Sequence, residues 1–130
     1  MMSAQDPRNK FKTSDYDQQE QELPGLQSKM TPQPDCGETS YKGHERLKGY
    51  KMLVTGGDSA IGRAAAIAYA KEGADVAINY LPSEEEDAQE VKQVIEDAGQ
   101  KGILIPGDLR DEQFNYCLLY TSDAADDSLR

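Results

Sequence analysis

The eight residues from Thr55 to Gly62, Thr-Gly-Gly-Asp-Ser-Ala-Ile-Gly, stand between an apolar run and an alanine-rich one. A phosphate needs such a turn. Glycine lets the chain bend sharply, lets backbone approach a pyrophosphate, and lets the next helix pack close, while that helix's first N–H groups have no internal partner. The spacing is not Gly-x-Gly-x-x-Gly, and no Gly-Lys-Ser or Gly-Lys-Thr follows, which disfavours a nucleoside triphosphate loop. The alternative is an ordinary tight turn. Elsewhere the chemistry is thin. His44 lies in a polar, turn-like stretch with no second metal ligand near it and reads as a solvated side chain. Cys36 is flanked by acidic residues, which do not activate a thiol, and reads as a plain loop residue.

The elements that must position the turn follow from hydrophobic periodicity. Lys51 to Thr55 predicts a short strand, and Arg63 to Lys71 a helix, with Ile61, Ala64, Ala65, Ala68 and Tyr69 spaced to lie on a sheet and Gly73 closing it. Ala74 to Tyr80 predicts a second strand, stopped by Leu81-Pro82. Ser83 and Glu86 make a capping-box pattern, and Glu84, Glu85 and Asp87 add negative charge where the helix dipole favours it. Val91, Val94, Ile95 and Ala98 repeat the apolar stripe, Gly99 ends that helix, and Gly102 to Leu109 supplies a third strand that leaves through Asp108. The order βαβαβ implies parallel pairing through right-handed crossovers. The expected fold class is α/β, the N-terminal βαβαβ half of a doubly wound (Rossmann) parallel sheet in strand order 3-2-1, preceded by a mostly irregular polar arm.

Composition bounds the rest. The chain has 130 residues, with 14 Lys and Arg against 24 Asp and Glu, a net charge of −10. A binder of nucleic acid, which gains affinity by neutralising phosphates with clustered cations, is therefore disfavoured. No apolar run approaches the ~20 residues of a membrane span, and no signal-peptide pattern opens the chain, so the expected location is cytoplasmic with no membrane partner. Two cysteines outside any Cys-x-x-Cys pair give neither a disulfide scaffold nor a zinc site. Ile, Leu, Val and Phe number 22, and 16 of them fall in residues 47–116, which places the folded unit there and leaves residues 1–46 as an arm.

Thr55-Gly56-Gly57-Asp58-Ser59-Ala60-Ile61-Gly62 matches the Thr-Gly-x-x-x-[Ala/Gly]-x-Gly motif of the short-chain dehydrogenases/reductases, which the sequence resembles, and Gly107-Asp108-Leu109 matches that family's Asp-Leu pair after the third strand. The arm adds a likeness to a bacterial subgroup of general stress, YghA-like oxidoreductases, in Met30 to Glu38 and Arg46 to Gly49. The resemblance implies an NAD(P)-dependent enzyme that transfers hydride between nicotinamide and a small-molecule carbonyl or alcohol substrate, and a full-length homo-tetramer. It implies that Gly56, Asp58, Ser59, Ala60, Ile61 and Gly62 bind the cofactor's pyrophosphate and ribose. Asn79, Tyr80 and Leu81 would lie beside the adenosine ribose, with Asp108 and Leu109 against the adenine. An acidic residue about 20 positions after the motif would bind NAD ribose hydroxyls and repel a 2′-phosphate. Asn79-Tyr80 offers no carboxylate, so the choice between NAD and NADP stays open, with Arg63 a candidate phosphate partner and Asn79 a candidate for a free hydroxyl. Ala60 stands where glycine is more frequent, a replacement that the motif tolerates and that costs little if the residue keeps a negative φ. For the arm, the resemblance permits wrapping over a neighbouring subunit; disorder is the other reading.

The family's catalytic Ser, Tyr and Lys have no counterpart here, since no tyrosine after the motif is followed by lysine four residues on, and no catalytic or metal-binding residue is assigned. From Cys117 onward the family pattern and any helical stripe are expected to end. Cys117 to Asp127 is what one reading frame of a common transposase sequencing adapter encodes, so residues 117–130 read as a non-native tail, the alternative being a native acidic one. The expected product is an inactive N-terminal fragment whose first strand exposes an edge and whose solubility suffers for it. A non-catalytic dinucleotide sensor is the competing reading, and an interaction protein with an incidental glycine turn a third.

Overall fold

The computed structural model describes residues 4–11 and 15–128, with side chains through residue 120; residues 1–3 and 12–14 of the expected arm and 129–130 of the expected tail lie outside them. β1 (Lys51–Thr55), α1 (Ala60–Lys71), β2 (Asp75–Tyr80), α2 (Glu85–Asp97), β3 (Gly102–Pro106) and α3 (Glu112–Ser128) follow one another along the chain. The three strands form a parallel sheet with β2 in the middle, as the alternation of strand and helix patterns requires. Thr55, Asn79 and Ile105 stand in register across it. This is an α/β fold.

β2 is apolar on both sides because both are covered. Val76, Ile78 and Tyr80 pack with Val54, Ala66, Ala70, Ala88, Val91 and Ile95 under α1 and α2. On the other side Ala77, Ile103 and Ile105 meet Phe114 and Leu118 of α3. β1 is an edge strand, and its Leu53 is partly exposed.

Three local expectations change. The buried residues of α1 are Arg63, Ala66, Ile67 and Ala70, whereas Ile61 is 87% exposed. An alanine-rich helix offers several stripes of similar apolarity, and the one chosen contains an arginine that is tolerable only because Glu38 and Glu90 pair with it at 2.8 and 3.2 Å. Ser83 does not cap α2; a 3₁₀ turn, Pro82–Glu84, precedes that helix, and the Glu84 carboxylate accepts from Leu81 N at 3.3 Å. The helical pattern does not end before Cys117, for α3 runs on to Ser128. With neither glycine nor proline in that stretch nothing stops the helix, and Leu118 falls one turn after Phe114, on the same face.

The arm, largely irregular as expected, is bound to its own chain. Lys71 Nζ donates to the carbonyls of Gly37, Glu38 and Tyr41 at 2.7, 2.6 and 3.2 Å. The Glu72 carboxylate accepts from Arg46 Nη2 (2.7 Å), Tyr41 Oη (2.5 Å), His44 N (2.9 Å) and Arg46 N (3.1 Å). The His44 side chain is exposed, in keeping with a solvated role.

The Arg46 guanidinium, followed by the Tyr41 hydroxyl and the His44 amide, holds the Glu72 carboxyl far below the usual carboxylate range. A group whose pKa falls on folding adds stability that is present above its unfolded value and is lost as pH falls through its folded one. The arm amides around Tyr41 to Arg46 are therefore expected to keep their hydrogen-exchange protection through about pH 4.3, the ordinary glutamate value, and to lose it only in stronger acid. Release near pH 4.3 would refute this pinning.

Candidate dinucleotide site

The turn after β1 is shaped by its glycines. Gly56 has φ +62°, and a Cβ added there would meet nothing within 4 Å, so this backbone borders open space where a ligand can approach. Gly62 does the opposite work, for a Cβ there would lie 2.0 Å from the Gly56 carbonyl oxygen. The first turn of α1 thus sits directly against the bend that borders this opening.

That opening is a cavity of about 410 Å³ at the C-terminal ends of the three strands. Gly56, Asp58, Ser59, Asn79, Tyr80, Leu81, Asp108 and Leu109, eight of the eleven residues expected in the site, line it. Glu84, Gly107 and Arg110 complete it. Ala60, Ile61 and Gly62 are not on its wall. Ala60 faces a second cavity of about 400 Å³ under the arm, which Ser59 shares.

The side chains differ from expectation in several respects. Asn79 is buried, and its Nδ2 donates to the carbonyls of Ile105 and Gly107, both at 3.1 Å, so the amide ties β2 to the end of β3. The Asp108 carboxylate is gripped by Arg110, with Nη2 at 2.7 Å, and this guanidinium lowers the carboxyl to about 2. Tyr80 Oη donates to the Glu85 carboxylate, and burial, then that carboxylate, pushes its hydroxyl well above the ordinary tyrosine value. Arg63, a candidate phosphate partner in the sequence, is sealed between Glu38 and Glu90 with 6% of its surface exposed.

Asp58 is only 2% exposed, and its Oδ2 has no hydrogen-bond partner. Burial first, and then the charge of Asp87, hold this carboxyl above the usual range, while backbone and the Glu84 and Ser59 side chains pull the other way. Glu84 is likewise held up by burial and by the charge of Asp58.

Periodicity could not reveal the contribution of the arm. Gln27 is buried, and its Oε1 accepts from Ala60 N at 2.8 Å, occupying the first N–H of α1. The Gln27 side chain also donates to Cys36 Sγ at 3.4 Å, which gives that cysteine a packing role in the arm. Asp87 holds the segment in turn, its carboxylate accepting from Gln27 N at 2.6 Å and Ser28 N at 3.0 Å. In the sequence Asp87 is one of a run of acids that the helix dipole already explains.

Ala60 does not keep a negative φ, the condition under which it would cost little, and adopts +48°. The turn needs a left-handed residue there, and the Gln27 contact holds it. An L-residue in that region costs about 1–2 kcal/mol, so Ala60→Gly is expected to stabilise the chain by about 1 kcal/mol after the added entropy of the unfolded glycine. Urea denaturation checks this, and an unchanged or lower midpoint would count against it.

A family model described as short chain dehydrogenase matches residues 51–121. The chain belongs to the short chain dehydrogenase family. It is 59% identical over 125 residues to the uncharacterized oxidoreductase YghA of Escherichia coli strain K12, covering 96% of this chain and 42% of that protein. With the uncharacterized oxidoreductase YhxD of Bacillus subtilis strain 168 the identity is 65% over 108 residues, covering 83% and 36%. A short chain dehydrogenase of Burkholderia cenocepacia J2315, solved in complex with NADP, superposes with a TM-score of 0.56 at 42% identity, covering 62% of this chain and 33% of that one. The chain thus spans well under half the length of these relatives.

Proposed function

We propose that the chain is the N-terminal, dinucleotide-binding part of an NAD(P)-dependent oxidoreductase that moves hydride between nicotinamide and a small-molecule carbonyl or alcohol. The carrying observation is the convergence of eight of the expected site residues on one cavity at the ends of three parallel strands, beside a turn whose glycine backbone borders open space. The NADP bound by the Burkholderia neighbour supports the same ligand class. The residues fit such a group. The turn and the N-terminus of α1 would hold the pyrophosphate, and Leu109 and Asp108 would lie against the adenine. Tyr80 and Leu81 would border the ribose, with Asn79 keeping the strand ends together beneath them. When bound, the cofactor supplies the hydride; this chain's residues bind and orient it.

The fragment itself is read as inactive, because the family's Ser, Tyr and Lys have no counterpart in it. The full-length protein is read as a cytoplasmic homo-tetramer by family resemblance. No helix among the described residues is long and apolar enough to cross a membrane. Residues 1–46 are read as an arm, 47–116 as half of the cofactor domain and 117–130 as adapter-encoded. Resequencing the source locus tests the last point, and an unchanged reading frame through Ser122 would overturn it. The main test is titration with NADH and NADPH followed by nucleotide fluorescence. Saturable binding without turnover of aldehydes is expected. Absence of binding to a folded chain would overturn the dinucleotide reading. A full reading frame without a downstream Tyr-x-x-x-Lys would favour a sensor over an enzyme.

A further inference from the structure

Two turns meet beside the dinucleotide cavity, and each carries an acid to the meeting point. Asp58 comes from the turn after β1 and Glu84 from the 3₁₀ turn after β2. Asp58 is buried, and no N–H or hydroxyl reaches its Oδ2. Its carboxyl is nonetheless in hydrogen-bonding contact with that of Glu84. An ionised carboxylate only accepts, so two such groups can bond to one another only while one of them carries a proton.

The surroundings favour one negative charge at this place and oppose a second. The Ser59 hydroxyl serves Asp58, and the Leu81 amide donates to Glu84 at 3.3 Å, which is enough for a single ionised member. From α2 the buried Asp87 adds its charge against both, its own oxygens being taken by the Gln27 and Ser28 amides. From β2 the Tyr80 hydroxyl is given to Glu85. Arg110, on the same wall, is exposed and bound to Asp108 at 2.7 Å. No lysine or arginine among the described residues pairs with either Asp58 or Glu84. Like charges held together without a cation and away from water do not both ionise at neutral pH, and the two groups then titrate as one unit.

We propose that Asp58 and Glu84 share a single proton and act as a positioning pair: while they share it they tie the turn after β1 to the turn after β2, and its loss drives the turns apart and sets a second negative charge beside an incoming dinucleotide. The part that concerns binding rests on the dinucleotide reading above; the shared proton does not. The Asp58 oxygen needs no access to ligand for this, because it acts through the backbone that it holds.

The first measurement is a pH titration of the 130-residue chain without nucleotide, followed by NMR of the side-chain carboxyl carbons. The pair is expected to keep one proton well above about pH 4, where ordinary carboxyl groups have lost theirs. A carboxyl whose pKa rises on folding adds stability below its unfolded value, and that stability is lost as pH rises through the folded one. The urea midpoint of the unaltered protein is therefore expected to fall relative to that of Glu84→Gln as pH rises from about 4.3 through the transition of the pair, because a glutamine amide can donate to Asp58 at every pH. Titration with NADH and with NADPH is expected to follow the same profile. Below the transition the two proteins should bind either nucleotide alike, and above it the unaltered protein should bind about tenfold more weakly, the equivalent of a one-unit difference in the pair's pKa between free and bound protein. Comparing the two proteins at each pH cancels the titration of the nucleotide itself. Should Glu84→Gln fail to fold by circular dichroism, Asp58→Asn, whose amide can donate to Glu84, takes its place. Loss of both protons by about pH 4.3 would overturn the inference and leave the dinucleotide reading intact, as would an affinity ratio that does not change with pH. A raised titration in a folded protein that binds neither nucleotide would overturn the dinucleotide reading, and with it the role of the pair in binding.

Discussion

Replacing Gly62 with alanine is expected to cost on the order of 3 kcal/mol of stability and to abolish dinucleotide binding in whatever fraction still folds. The added Cβ would lie 2.0 Å from the Gly56 carbonyl oxygen and 2.7 Å from its carbon, and 3.2 Å from Gly57 Cα. All three are backbone atoms, which cannot swing aside as a side-chain terminus can. Relief requires α1 to move off the turn, and that movement opens the bend where the pyrophosphate would sit. Gly25→Ala is the control, since the nearest atoms to its new Cβ are 3.6 Å away, an ordinary contact. It should change stability by less than about 0.5 kcal/mol. A Gly62→Ala variant with an unaltered urea midpoint would show that the turn and helix are less tightly apposed than described.

The second large effect is expected from Asp87→Ala. This carboxylate is fully buried at the start of α2, where it accepts from the amides of Gln27 and Ser28. Truncation leaves two N–H groups without a partner, that of Gln27 buried and that of Ser28 half-buried, a loss of about 2–4 kcal/mol if the arm stays down. The arm has an escape, because it can lift and let water solvate those groups. The expected outcome is therefore a smaller loss of global stability than the local one, with the segment around Gln27 to Cys36 losing its protection from exchange and from proteases. Lifting also removes Gln27 Oε1 from Ala60 N and so releases the left-handed residue that shapes the turn, and a relaxed turn is expected to bind nucleotide less tightly. Full retention of both protection and affinity in Asp87→Ala would contradict the clamp.

Much of the framework was legible because it is written in local terms. The three strands, their parallel order, the glycines at 73 and 99 that end α1 and α2, and the turn at 55–62 each depend on residues a few positions apart. What was not legible depends on distance. Nothing near Arg63 says that Glu38 and Glu90 will neutralise it, so an apolar-stripe argument cannot choose it for burial. Nothing near Asp87 distinguishes it from Glu85 and Glu86, whose charges suit the helix start equally well; its partners lie 60 and 59 residues earlier. The site shows the same division. Eight positions on the wall were expected from the family resemblance, whereas Ala60, Ile61 and Gly62 lie off it, and Glu84 and Gln27 enter only through packing.

The clamp between Gln27 and Asp87 also bears on the order of events during synthesis. The arm leaves the ribosome first, but the carboxylate that receives it is made 60 residues later and must already stand on a formed α2. Contacts of such separation are late to form, so the arm waits unstructured while β1, α1 and β2 assemble, and closes over the turn as a final act. What docks last can leave without breaking what formed before it. A peeling of the arm would therefore bare the first N–H of α1 while the sheet remains intact.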